Sequence, residues 1–393
     1  MAAYLSLPFM TEAAYARRSR PLQRVLYEAQ RVEAPPPLVF PEPEPDFCDL
    51  GALQYDFPAV TLTTLRDVAV RGRSNILTPP DAIVRHGLMD PRVDLPAEEF
   101  YSRLFPAEGY GSAAWQPADP FEVGYLPEAA VFTDSTSFNY AHWLTEVLPR
   151  ISAFTADGEH AGVPLIVDAD LHPNIVRSIG LVTGPDVTLH RLAPDELVRV
   201  GVLRNVSPTG YAPFKLRASA RTFSHGRFSP QALRAMVAKL RAAVPAAETG
   251  RPKLFIRRRG TVRHLVNEAE IEEVLAAKGF LTIEPERLSL EEQIAAYSGA
   301  GMVVGATGAA VANLVYCQAD CPTVVIMPKF RELAYWYWRR IAAAAGAGPV
   351  IYVNGEQVAP LDNPYHPLAA HQDFRVEAKD VLEAVDAADA LRR

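Results

Sequence analysis

The densest run of side chains able to do chemistry is basic: Arg251, Lys253, Arg257, Arg258, Arg259 and Arg263, with no acid between the first and the last. Arginine presents a planar fork of donors that matches phosphate oxygens. A run at the carboxyl end of the strand-like KLFIRR (253–258) therefore fits a diphosphate clamp. It suits a solvated strand edge or a surface cluster of ion pairs equally well. Successive residues of a strand face opposite ways, so Arg257 and Arg259 share a face and Arg258 has the other. All three cannot clamp one ligand. Downstream, GATGAAVAN (305–313) reads as strand, glycine turn and helix. Glycines let a backbone approach a phosphate, and a helix N-terminus supplies unpaired N–H groups and a favourable dipole. The same residues also make a plain tight β–α turn with small side chains for packing. No Gly-Lys-Ser/Thr follows, so this is not a Walker A loop. Gly299-Ala-Gly301 precedes its strand, the wrong side for a dinucleotide fingerprint.

A second group lies in NYAHWLTEVLPR (139–150), where Asn139, His142 and Glu146 are spaced three and four apart on one helical face. A histidine with a carboxylate one turn away is a supported general base. The alternative is a capping Asn139 and a core histidine beside Trp143. Asp134, at the end of the strand-like AAVFTD, is a further candidate base. Asp168-Ala-Asp170 follows the strand-like VPLIV, an arrangement with which many enzymes hold Mn²⁺, but one that also arises by chance. Tyr335, Trp336, Tyr337 and Trp338 could stack on sugar rings or fill a core. Cys317 and Cys321 have no second Cys/His pair to complete a zinc site, and with Cys48 they suggest a reducing compartment. Neither Gly-x-Ser-x-Gly nor His-Glu-x-x-His occurs, so serine hydrolase and zincin chemistry have no support.

These residues need a scaffold of strands alternating with helices. Of the 393 residues, 49% are hydrophobic and 22% charged, a balance that excludes disorder as a description of the whole chain. A net charge of −7 argues against a nucleic-acid partner. The N-terminal residues lack the order of a signal peptide, and no apolar run is long enough to span a bilayer. A cytoplasmic protein is expected, and peripheral association with the inner face of a membrane is compatible with this. EAPPPLVFPEPEPD (33–46) predicts an extended linker or strap. Between 122 and 200, strand- and helix-like pieces alternate, and Ser229-Pro230 opens a long amphipathic helix. In the second half, strands at 253–258, 280–284, 302–306 and 323–328 alternate with helices at 268–278, 289–299 and from about 309. Ser289 and Glu292 form a capping box. The expected fold class is α/β, with two Rossmann-like domains facing across a cleft. The boundaries read as a 1–60 arm and proline-rich linker, a 61–228 N-terminal Rossmann-like domain, a 229–360 C-terminal Rossmann-like domain and a 361–393 segment packing back on the N-terminal domain.

NYAHWLTEVLPR resembles the Asn-Tyr-x-His-Trp-Leu-x-Glu-x-Leu-Pro-Arg segment of glycosyltransferase family 61. RRGTVRHLVNEAEI (258–271), LSLEEQIAAYSGAGMVVGATGAAVANLVYC (288–317) and the strand after them resemble the family's second half in the same order. The resemblance covers roughly residues 120–330. It implies a GT-B fold and an inverting transferase of the bacterial polysaccharide type. It implies no metal and no cofactor beyond a nucleoside-diphosphate sugar as donor. The implied partners are that nucleotide sugar and a glycan or polysaccharide acceptor. By position, Arg258, Arg263 and Asn267 would hold the diphosphate; Gly305, Gly308 and Ala309 would form its backbone cradle. Asn313 matches a family asparagine, and His142 the family's first-domain histidine. Thr307 stands where the family usually has histidine, so a titratable phosphate partner is missing at that point.

Overall fold

The computed structural model describes residues 5–43, 48–49, 51–92, 94, 103–115, 122–156, 158, 160–194, 196–213, 226–246, 250–260, 262–329, 333–335, 337–359 and 371–392. They form α/β structure divided between two compact units. One lies within Met1–Gln30, Phe57–Thr222 and Arg227–Met236, the other within Arg31–Asp56, Phe223–Gly226 and Val237–Arg393.

In the first unit, Glu122–Val131, Leu165–Asp168 and Leu189–Leu192 are parallel neighbours, and Leu197–Val206 lies parallel to Glu122–Val131 on its other side. Strand order therefore reverses at Glu122–Val131, and that end of the sheet is where doubly wound folds bind ligands. Helical residues 140–155 and the helix Pro173–Thr183 make the crossovers. Val60–Arg71 pairs antiparallel with Leu197–Val206. From there the sheet runs through Leu77–Thr78 and Ile83–Arg85 to Leu5–Thr11. The N-terminal stretch is thus an internal strand rather than an arm. Phe9 is buried, and Thr11 caps the helix Glu12–Ser19. The apolar face of this sheet packs Leu65, Val68, Val131, Ile166, Val200 and Leu203 into one core.

In the second unit the parallel strands lie in the order Phe280–Ile283, Lys253–Ile256, Met302–Ala306, Thr323–Pro328, Val350–Gln357. The central strands Met302–Ala306 and Thr323–Pro328 carry the apolar runs that burial on both faces of a parallel sheet requires. The order reverses between Lys253–Ile256 and Met302–Ala306. The basic run and the glycine turn follow those two strands. Helix Leu290–Gly299 starts with the Ser289–Glu292 capping box. The turn after Met302–Ala306 opens a 3₁₀ helix, Ala309–Tyr316, rather than an α-helix.

Two boundaries differ from the sequence expectation. The proline-rich segment belongs to the second unit, where Leu38–Phe40 pairs parallel with Val350–Gln357. Proline removes donors but leaves the chain extended, so it can still supply a short edge strand. The C-terminal helix Ala378–Leu391 also belongs to the second unit and not to the N-terminal domain. Val381, Ala384, Val385 and Ala388 form its apolar stripe and join Phe255, Val304 and Ile326 in one core. Lys253 Nζ anchors it to Asp389 at 2.7 Å.

Candidate active site

Asp134 follows the strand Glu122–Val131, and its Oδ1 accepts from the Thr136 N–H and hydroxyl, both at 2.8 Å, closing a tight turn. Asn139 caps the next helix through the Ala141 N–H, as one of the sequence alternatives has it. After one α-turn the helix widens into a π-turn, Trp143–Val147, before resuming at Leu148–Thr155. Pro149 explains the change. Its ring has no N–H and would clash with the carbonyl one α-turn back, so the chain shifts to the wider spacing. Within the π-turn the Glu146 carbonyl accepts from the Thr209 hydroxyl at 3.2 Å. Gly210 lies so close that a Cβ there would overlap the Thr145 carbonyl oxygen. Gly210→Ala is therefore expected to cost about 1–3 kcal/mol of stability in a denaturant titration, the usual range for overpacking. A variant as stable as the parent would show that the helix yields freely at this point.

The π-turn brings the His142 and Glu146 side chains together, Nδ1 to Oε1 at 2.6 Å, both buried. Burial alone would make the imidazole less basic. The Glu146 carboxylate, through its charge and hydrogen bond, and Asp134 more than offset this, so His142 titrates above its ordinary value. Burial in turn raises Glu146, and the imidazole counteracts that rise. With Nδ1–H held by the carboxylate, proton acceptance falls to Nε2, the arrangement of an oriented general base.

Behind the pair lies a small internal space of about 20 Å³, enough for a water molecule, lined by Asp134, Glu146, His86, Arg150, Asn205 and Tyr211 among others. Arg150 fixes one wall. Its Nε donates to the Val206 carbonyl at 3.0 Å and a terminal nitrogen to the Val131 carbonyl at 3.2 Å, tying together the two strands at the reversal. Asn205 reaches on to Glu12 at 2.8 Å. Burial, with Arg150 and Arg85 nearby, pushes His86 down to about 3, so it stays neutral and accepts the Met89 N–H at 3.2 Å.

Asp168 and Asp170 are both engaged by protein groups. The Asp168 carboxylate accepts from the backbone N–H groups of Arg73 at 2.6 Å and Asp134 at 3.1 Å and from the Ser137 hydroxyl. Burial raises it to about 6, against those hydrogen bonds. Asp170 is tied to the Arg73 guanidinium at 2.6 Å. The pair holds the turn on which Asp134 sits.

In the second unit the six cations separate by partner. Arg251 pairs with Asp320 and Lys253 with Asp389. Arg257 pairs with Glu272 and Glu284, and Arg259 with Glu284 at 2.9 Å. Arg257 and Arg259 do share one side, and Arg258 turns to the other. Its guanidinium donates to the Thr307 carbonyl at 3.1 Å and lies over Gly308, where a Cβ would sit 2.7 Å from Nε. Arg263 is held at a left-handed φ of 59°. Neither Arg258 nor Arg263 has an ion pair among the described residues. Burial lowers Arg258, while burial, the Arg258 charge and an opposing pull from Tyr337 leave Arg263 at about 10. Glu286 and Glu268 oppose that lowering at Arg258. Two neighbouring, half-buried guanidiniums beside the start of a helix, neither in a salt bridge among the described residues, are a candidate anion site.

The remaining sequence candidates have structural partners. The Asn267 amide bonds both the carbonyl and the N–H of Val376, at 2.9 and 3.3 Å. It clips the C-terminal segment rather than facing the anion site. Asn313 Nδ2 donates to Gln293 at 2.8 Å inside the core. Gly305 packs against Ile256, and Ala309 begins the 3₁₀ helix. Thr307 is buried, and its hydroxyl accepts from the Trp338 indole at 3.1 Å. Tyr335 is core, bonded to Asn354 at 2.6 Å and packed on Tyr352; Trp336 lies outside the described residues. Arg73, His86, Asn205 and Tyr211 come from elements far apart in sequence, with no local signal. Arg150 did have one, since it falls one helical turn beyond Glu146.

One unit thus holds a buried imidazole–carboxylate pair, and the other a cationic, glycine-floored turn where strand order reverses. Residues 140–326, which carry His142, Glu146, Arg258, Arg263 and Gly308, match the family model for glycosyltransferase 61. Over that span the chain is similar to glycosyltransferase family 61, the family whose motifs its sequence resembles. No curated protein matches it.

Proposed function

We propose that the protein transfers a sugar, with inversion and without a metal, from a nucleoside-diphosphate sugar to a hydroxyl of a glycan or polysaccharide, on a GT-B scaffold. The observation that carries the donor assignment is the pair of neighbouring guanidiniums Arg258 and Arg263, neither in a salt bridge among the described residues, at the switch point of a parallel sheet. In this reading His142 Nε2 takes the acceptor proton as the glycosidic bond forms. Glu146 stabilises the resulting imidazolium. The diphosphate leaves from the anomeric carbon with its charge met by the two arginines and the N–H groups after Gly308, stabilisation aimed at charge as it develops.

The experiment is a thermal-shift screen of nucleotide sugars followed by turnover of the best donor with and without EDTA. One donor should raise the melting temperature, as a ligand that binds only the native state must. Its turnover should survive EDTA, and product NMR should show the opposite anomeric configuration. No stabilisation by any nucleotide sugar would overturn the donor assignment, and loss of turnover in EDTA would overturn metal independence. Thr307 favours one second reading, a nucleotide-sugar-binding subunit without turnover, since its hydroxyl cannot titrate near neutral pH. Donor binding without transfer or hydrolysis would select it.

A further inference from the structure

The turn after Glu122–Val131 presents a large apolar side chain to solvent. Phe138 is 41% exposed and stands four residues before His142. An exposed phenylalanine is ordinary on its own. This one is mounted on a buried charge. The Arg73 guanidinium carbon lies over its ring, 4.8 Å from the centre, and Arg73 itself is buried. The same guanidinium donates to the Ser137 hydroxyl at 3.0 Å and pairs with Asp170 Oδ1 at 2.6 Å. One buried cation thus holds an aromatic ring and a carboxylate, and the Asp170 side chain is 60% exposed. Phe138 follows Glu122–Val131 and Asp170 follows Leu165–Asp168, which are neighbouring parallel strands. Both therefore stand at the carboxyl end of the sheet, where doubly wound folds bind ligands.

A connecting loop needs no such mount. Arg73 is held at a left-handed φ of 54°, a strained conformation for a residue with a side chain. Its N–H is fixed by Asp168 at 2.6 Å and its carbonyl by Arg103 at 2.7 Å. On either side of Phe138 the Ser137 N–H donates to the Asp134 carbonyl at 3.2 Å and the Asn139 N–H to the Thr136 carbonyl at 2.9 Å. The ring is thus oriented before any ligand arrives. We infer that Phe138 and Asp170 form a subsite for a pyranose of the acceptor glycan. The inference rests on the transferase reading above and adds to it a place for the acceptor. A pyranose has an apolar face of C–H groups and a rim of hydroxyls. The C–H face packs on the Phe138 ring, which has little rotamer freedom left to lose. A rim hydroxyl donates to the Asp170 oxygen that Arg73 does not take, a charge-assisted hydrogen bond.

The test is saturation-transfer NMR with the methyl β-glycosides of glucose, galactose, N-acetylglucosamine and xylose and with methyl α-mannoside. It compares wild-type protein with Phe138→Ala, Phe138→Tyr and Asp170→Asn, and calorimetry with UDP and GDP runs beside it. We expect at least one glycoside to bind, with saturation strongest on the C–H protons of one ring face. Phe138→Ala should weaken that binding about tenfold, the equivalent of one stacked ring. Phe138→Tyr should retain it. Asp170→Asn should weaken it about fivefold, the difference between a charged and a neutral hydrogen-bond acceptor. Nucleotide affinity should be the same in all four proteins, and Phe138→Ala should melt with the parent. No saturation of any glycoside, or equal saturation in wild type and Phe138→Ala, overturns the inference and leaves the donor assignment standing. Glycoside and nucleotide affinity lost together in Phe138→Ala overturns it too, since the ring would then serve the donor. Glycoside binding that depends on Phe138, in a protein that binds neither nucleotide, sustains the subsite and removes the transferase reading.

Discussion

His142→Gln is expected to lower turnover by roughly 10²–10⁴-fold, the usual share of a general base, with little change in melting temperature. Glutamine can still donate to the buried Glu146 carboxylate, so the substitution avoids leaving that group unpaired, but it cannot take a proton from an attacking hydroxyl. The sign of the pH dependence follows from the same geometry. Only the neutral imidazole can act as base. Glu146, 2.6 Å away, raises His142 above its ordinary value of 6.5, so turnover should climb with pH through a midpoint higher than that. In Glu146→Gln the attraction is gone and burial dominates. The rising limb should move to lower pH and the plateau should fall, because a weaker base transfers the proton less readily. A purely structural Glu146 would lower the plateau and leave the limb where it was. Full turnover in His142→Gln would remove this histidine as the base and leave Asp134 as the next candidate.

Local physics was legible in the sequence wherever the partner lies within a turn or two. Ser289 and Glu292 cap a helix because both ends of that interaction are three residues apart. Asn139 caps its helix for the same reason, and the division of Arg257 and Arg259 from Arg258 follows from strand alternation. What decides function at longer range was not legible. Six cations in a row could not say which of them would find acids. The acids that neutralise four of them come from Glu272, Glu284, Asp320 and Asp389, on other elements. Asn267 matched a family position, yet its amide serves Val376, more than a hundred residues on. The segment at 33–46 read as a linker or strap because prolines suppress any strand signal, and only pairing with Val350–Gln357 makes Leu38–Phe40 a strand. The π-turn also depends on a remote partner. Pro149 announces a disturbance, but the Thr209 hydroxyl and the absent side chain of Gly210 allow it to persist.

The contrast among the arginines yields the second large effect. Arg258→Ala is expected to weaken nucleoside-diphosphate affinity at least about 100-fold, since a guanidinium on a diphosphate makes more than one charge-assisted hydrogen bond. Arg259→Ala should leave affinity nearly unchanged, because its exposed side chain is committed to Glu284 and surface pairs contribute little. A solvated strand edge predicts the same small effect from both, so the ratio of the two decides between the readings the sequence left open. Gly308→Ala should mimic the loss at Arg258 without removing it. The added Cβ would come 2.7 Å from Nε and push the guanidinium off the turn. Stability should respond in the opposite sense to affinity. Arg258 is half-buried beside Arg263 without a salt bridge among the described residues, so the two guanidiniums repel and Glu286 and Glu268 act on Arg258 only from its flank. Removing one relieves that repulsion, and the nucleotide-free Arg258→Ala protein should melt no lower than the parent. A functional anion site stores destabilisation that its ligand releases. A structural salt-bridge network does the reverse, and loss of stability in Arg258→Ala with affinity intact would assign the run to that role.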